Sequence, residues 1–347
     1  MMTTTSRAAR LDPALRASLA SSLRELFATT TGPDLTAALA DLGWAEVEAE
    51  DPATATSLLF RAHGNSLASS TLLSDTLLRS FGPGFPFTGN DASLLLPHAT
   101  DDASRPGAQQ NSGARGILLG TPAPGTLVLV PVCRGYRVIL HPVEAEWVLD
   151  RCTPAAGFDA SSDWLHFSTG DYLPDTPATA PSVGVDWLTA VALGRRALAS
   201  EILGVCDSAL RLASEHVTSR HQYGRAIGSF QAVRHQLSEA HVAVEAASSL
   251  LESVWSGITD ESHFETPPEW AAAAAKARAG RAQSVVMRTG VQVLGAMGLT
   301  EESAMHRYVA RAAALDLLLG GQARLEESLG THLLDGTAAY PIASIFI

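Results

Sequence analysis

The sequence predicts a mostly α chain with a small β domain, set between a helical N-terminal domain and a C-terminal four-helix bundle. Three observations carry this. Alanine and leucine abound while aromatic residues make up only 6% of the 347 residues, which favours helices. Long stretches repeat apolar residues every three or four positions. Between them lies a segment dense in Gly, Pro, Ser and Asn that carries short β-rich runs. The expected boundaries are 1–91 for the helical N-terminal domain, 92–178 for the middle β domain and 185–347 for the C-terminal helical bundle.

In chain order, the Ser/Arg-rich start lacks acids until Asp12 and is read as a frayed tail leading into a helix. Residues 12–80 are helical in pattern. Leu15, Leu19, Leu23 and Leu26 share one helix face, and Asp34 is placed to cap a short helix ending at Leu42. Two segments, FGPGFPFTGND and DDASRPGAQQNSGARG, read as loops. Ala92–Leu96, GILLG, TLVLVPV, YRVILHPV, Trp147–Asp150 and Trp164–Ser168 are candidate strands of an antiparallel domain. TGDYLPDTPATAPSVG reads as a linker. From Val185 the pattern is helical almost to the end. Val191, Leu198, Val205 and Leu212 recur every seven residues. Phe230, Val233, Leu237, Ala240, Val244, Ala247 and Leu251 form a second stripe, as expected of helices packed in a bundle. Pro268–Leu294 makes a third long helix closed by Gly295, and Glu301–Leu319 with Gln322–Leu334 make the last pair.

Composition narrows the function. Hydrophobic residues make up 46% and charged residues 17%, as in a globular chain with material for a core. The net charge is -12, and no Lys/Arg run exists to neutralise a row of phosphates, so no nucleic-acid partner is expected. Cys133, Cys152 and Cys206 are far apart and form no CxxC pair, which points to a reducing cytoplasm and no metal site. No membrane span is expected. His216 and His221, or His235 and His241, lack metal-ligand spacing.

Residues 215–236 read EHVTSRHQYGRAIGSFQAVRHQ: an Arg, an aromatic-Gly pair, and a Phe-Gln whose Gln falls eleven residues after the Arg. Farther on stands QVLGAMGLTEESAMHRYVARAAALDLLLGG. Together these resemble two motifs of the acyl-CoA dehydrogenase family, in its order and at its separation, and the likeness is nearest to short actinobacterial subunits that pair with a second chain. The resemblance implies the acyl-CoA dehydrogenase fold and α,β-desaturation of an acyl-CoA or other acyl thioester. A carboxylate would remove the α proton while FAD takes the hydride. It implies FAD contacts, at a subunit interface, by Arg220, Tyr223, Gln231, Gln292, Gly295 and Ala296. Arg220 would give a pyrophosphate its planar fork. Ala296 stands where the family has a second Gly.

The departures matter as much. The family base lies twenty-seven residues after the motif Gln, which here is Leu319, or twenty-six before the Arg, which here is Gly194. Neither can take a proton. The stretches that hold the isoalloxazine ring in the family are missing, and SRPGAQQNSGARG stands near the place of one. FAD is therefore expected either to be shared with a second acyl-CoA dehydrogenase-like subunit, to lie in a homo-oligomer, or to be lost.

Glu245, within the apolar run 242–247, is expected to be buried, either ion-paired with Arg195 or Arg234 or poised as a base. Asp316, one turn before Leu319, is either a solvated helix residue or a group reaching the same pocket. Glu201 is a weaker candidate, and Glu301 and Glu302 read as residues of a helix start. Three functions follow: a dehydrogenase subunit dependent on a partner, a non-redox dehydratase or cyclase of the same fold, and a non-catalytic scaffold.

Overall fold

The computed structural model describes residues 11–30, 34–106, 108–109, 113–155, 159, 161–177, 180–256 and 267–335. Residues 1–10, for which a frayed tail is expected, lie outside these. The N-terminal helices are α1 (Pro13–Thr29), α2 (Asp34–Asp41), α3 (Trp44–Glu50), α4 (Pro52–Ser66) and α5 (Leu72–Ser80). Leu19, Leu23 and Phe27 form the buried stripe of α1, while Leu15 stays 44% exposed, so the stripe lies one turn later than its leucines suggest. Asp51 caps α4 by accepting from the Thr54 N–H at 3.0 Å and also accepts from the Leu11 N–H, which ties the chain's entry to α4. The side chain of Asp34 is outside the described residues.

The β domain stacks two sheets. One has the order β1 (Ala92–Leu94), β5 (Leu127–Arg134), β6 (Arg137–Glu144), β9 (Val183–Val185), with β3 (Ala108–Gln109) also on β5. The other has the order β2 (Leu96–Pro97), β4 (Arg115–Leu119), β8 (Trp164–Ser168), β7 (Cys152–Pro154). Alternation along β5 sends Val128, Val130 and Val132 to a core between the sheets and Leu129 to the helical core, so both faces are dry. Three expectations need correction. The domain is mixed, because β1 and β3 pair parallel with β5. Trp147 sits in a short helix, α6 (Ala145–Leu149), not a strand. The stretch read as a linker ends in β9, which adds to the edge of β6.

The C-terminal helices are α7 (Trp187–Ser219), α8 (Gln231–Ser256), α9 (Pro268–Leu294), α10 (Met305–Leu317) and α11 (Gln322–Leu334). A small hairpin of β10 (His221–Gln222) and β11 (Arg225–Ala226) joins α7 to α8. Among the described residues, no helix is long and apolar enough to cross a membrane. At 33 residues α7 is about 50 Å long. Packed against α4, α8, α9 and α10, it is the axis of the helical core. Its crossing with α4 is unusually close: a methyl on Gly64 would lie 2.1 Å from the Glu201 carbonyl oxygen, and one on Gly204 would lie 2.1 Å from that of Arg61. Only glycines allow this approach. Glu301 and Glu302 lie in turns before α10, outside its first helical turn, so the helix start assigned to them begins later.

Candidate functional site

The first candidate region is one end of the bundle. Arg195 near the start of α7 and Lys276 near the start of α9 both reach the Leu319–Gly320 turn. The two helices therefore run the same way, and their far ends, with the α7–α8 hairpin, fall together. There the chain places Arg220, Tyr223, Gln231, Gln292, Gly295 and Ala296, all exposed. Tyr223 and Gly224 have φ of 54° and 77°, a two-residue turn with both central residues left-handed, which matches the twist of a tight hairpin. This turn leaves the Tyr223 ring 93% exposed, edge-on to Phe230 at 6.3 Å. Arg220 ends α7, its N–H bonded to the His216 carbonyl and its carbonyl accepting from Ile227. It is thus a helix C-cap by its backbone, with an exposed guanidinium. Gly295 (φ 63°, ψ -139°) ends α9 in a conformation that side chains resist, and open space surrounds the place of a Cβ.

The second region holds Leu319 and Gly194, the positions where the resemblance would place a base. Leu319 is buried (1% exposed) with φ 54°. A methyl on Gly194 would lie 2.5 Å from Leu319 Cδ1 and 3.2 Å from Leu77 Cδ2. Gly194 and Leu319 thus face each other, and the leucine fills the space the glycine leaves. Two cations hold the turn: Arg195 Nε donates to the Leu319 carbonyl at 3.0 Å, and Lys276 Nζ donates to those of Gly320 and Asp316, each at 2.7 Å.

Lys276, which sequence reasoning missed, has no exposed side-chain surface. Burial, opposed by Asp316 and aided by Arg195, brings its pKa down to about 8. The available signal was a lone lysine in the run Ala271–Ala275, Lys276, Ala277, at a position facing the bundle. Asp316 is neither solvated nor free. One carboxylate oxygen accepts from the Gln322 N–H at 3.1 Å, and the other lies 3.9 Å from Lys276 Nζ. It starts α11 and balances the buried ammonium. Glu245 is exposed, contrary to expectation, because the 242–247 run straddles two faces of α8 and only Val244 and Ala247 turn inward. Its electrostatic partner is Arg61, not Arg195 or Arg234. Arg61 itself grips Asp207 with two bonds, at 2.7 and 3.0 Å, and Arg234 donates to the Gly228 carbonyl. Glu245 therefore lacks the dry setting a base needs.

Glu201 is different. It is buried where α4 crosses α7, 2.8 Å from His63 Nδ1, and His63 Nε2 lies 2.8 Å from Ser70 Oγ. No local spacing signals residues 63, 70 and 201 as a group; only the helix crossing unites them. They line a cavity of about 10 Å³ bounded by α4, α5, α7, α10 and the β domain, room for one water. A flavin ring does not fit there. A cavity of about 200 Å³ opens elsewhere, on the face of β5 and β6 that carries Val132, Ile139 and His141, against Tyr172–Asp175.

Residues 186–334 match the family model described as the C-terminal domain of acyl-CoA dehydrogenase. Acyl-CoA dehydrogenase IpdE2 of Mycobacterium tuberculosis is 29% identical over 256 residues, covering 72% of each chain. The 3-sulfinopropanoyl-CoA desulfinase of Paraburkholderia xenovorans is 33% identical over 127 residues, 37% of this chain and 31% of that one. In fold, the chain is similar to the ChsE4-ChsE5 complex from Mycobacterium tuberculosis, with TM-score 0.71 and 21% identity over 96% of this chain and 98% of that chain.

Proposed function

We propose that this chain, similar to acyl-CoA dehydrogenases in fold and over residues 186–334, is a subunit of a heteromeric flavoenzyme that desaturates an acyl thioester. The observation that carries this reading is the Leu319–Gly194 contact: the place where the resemblance would put the base is packed with hydrocarbon, and in this reading the α proton leaves to a group on another chain. The exposed end of the bundle supports the same division of labour. Its residues suit a bound dinucleotide, since Arg220 offers an unburied fork for a pyrophosphate and Tyr223 an open ring face. FAD, when held between the chains, would supply the hydride acceptor. This chain would supply Arg220, Tyr223, Gln231, Gln292, Gly295 and Ala296 at the adenosine side, and the partner would supply the ring site and base. The similarity to a complex of two chains, ChsE4-ChsE5, is consistent with such a pairing.

The test is an absorbance spectrum. The purified chain should be folded and colourless, without the flavin bands near 370 and 450 nm. Co-expression with a neighbouring acyl-CoA dehydrogenase-like chain should yield a yellow complex that reduces on adding acyl-CoA. A yellow, fully active single chain would overturn the proposal.

A further inference from the structure

The contacts of His63 form an ordered chain. Glu201 as a carboxylate only accepts, so His63 Nδ1 carries the proton toward it, and Nε2 is left to accept from the Ser70 hydroxyl. Both links are 2.8 Å. This is the arrangement by which a hydroxyl becomes a nucleophile: an adjacent base, itself oriented by a third group. The parts are held firmly. The glycine-mediated crossing of α4 and α7 sets His63 against Glu201. His63 also packs edge-on against Phe27 at 5.5 Å. The loop bearing Ser70 is pinned by Arg311, which is paired with Asp159 and donates to the Ala68 carbonyl.

The surroundings of Ser70 favour negative charge on its oxygen. Oγ lies 3.3 Å from the Leu72 N–H, at the start of the nine-residue α5, whose first-turn N–H groups have no helical acceptor upstream. Ser70 is half-buried, beside the half-buried Ala68, Ser69 and Trp164 at the rim of the small cavity. The walls are Phe60, Leu73, Leu198, Leu315 and Leu318. Such a space takes an apolar group about the size of a methyl.

We propose that Ser70, His63 and Glu201 form a nucleophilic relay that hydrolyses a small acyl ester or thioester of acetyl size. Ser70 Oγ attacks the acyl carbonyl carbon and its proton passes to His63 Nε2. The carbonyl–oxygen or carbonyl–sulfur bond breaks, and the leaving alcohol or thiol takes that proton. Water then cleaves the acyl-serine, its proton passing through His63, and releases the acid with no net redox change. This activity needs neither flavin nor a partner chain, so its test is independent of the dehydrogenase reading.

The experiment treats the purified full chain with a fluorophosphonate probe and maps the adduct by peptide mass spectrometry. Hydrolysis of p-nitrophenyl acetate is followed in parallel. The native chain should be phosphonylated at Ser70, and Ser70→Ala should lose both the adduct and the turnover. His63→Gln, checked for folding by circular dichroism, should slow labelling by about 100-fold or more. If that variant does not fold, Glu201→Gln, which keeps a hydrogen-bonding oxygen, should slow labelling by at least tenfold. Absence of a Ser70 adduct in the native chain, or equal labelling of native and heat-unfolded protein, would overturn the proposal.

Discussion

Lys276 has no carboxylate closer than 3.9 Å and no contact with solvent, yet its three protons face two backbone carbonyls of the Asp316–Gly320 segment. Burial depresses its pKa to about 8 from an ordinary 10.5. Below about pH 8 both folded and unfolded chains hold the proton, and the full cost of burying the charge is present. Between about 8 and 10.5 the unfolded chain binds more protons, so stability from this group rises with pH. Native protein should therefore gain stability relative to Lys276→Met as pH increases from 8 to 10, with a flat difference below 7. Urea denaturation of both proteins across that range measures it; a flat difference throughout would refute the neutralisation. Cys152, whose thiol burial pushes up to about 11, contributes the opposite trend and cancels in this comparison.

At the scale of elements, the proposed function turns on the segment between α10 and α11. Leu319 takes a left-handed conformation, Arg195 and Lys276 hold the carbonyls around it, and its side chain occupies the gap over Gly194. On the proposed reading, a carboxylate introduced there does not act as a base. Leu319→Glu puts a carboxylate against Leu77 and Gly194, where the leucine already fills the space and the nearby Arg195 and Lys276 are engaged by backbone carbonyls, and should cost at least about 2 kcal/mol. The denaturant midpoint would fall, and the lone chain would still fail to desaturate acyl-CoA. A stable, active variant would mean that the pocket retained its catalytic shape. The same segment explains Asp316, which a sequence spacing of three from Leu319 suggested as a second acid. Its carboxylate instead starts α11 and faces Lys276.

For the whole molecule, the distribution of finished and unfinished surface is informative. The α4–α7 crossing and the sheet stack are dry and paired, whereas the far end of the bundle exposes Arg220, Tyr223, Gln231 and Gln292 together. If that end meets a dinucleotide held by a second chain, Arg220→Ala should leave the heteromer intact and remove its flavin. Size-exclusion chromatography read at 280 and 450 nm separates the two effects; a yellow complex of Arg220→Ala would show that the arginine does not hold the cofactor.

The sequence by itself determined the helices and most strands. Their apolar periods of three to four and of two are local consequences of burying one face, as α8, with Ala240, Val244, Ala247 and Leu251 buried, and β5 illustrate. It also singled out Leu319 and Gly194 as the positions where the resemblance would put a base, because those depend only on counting along the chain. Local patterns did not resolve Glu245, since a short apolar run shares two helix faces and only packing chooses between them. Nor did they reveal Lys276 above the Leu319 turn, or Ser70, His63 and Glu201 in one chain of hydrogen bonds. Glu201 meets His63 across 138 residues and Lys276 meets Gly320 across 44, where two glycines let α4 and α7 touch and α9 packs on α7, and only the tertiary structure decides such meetings.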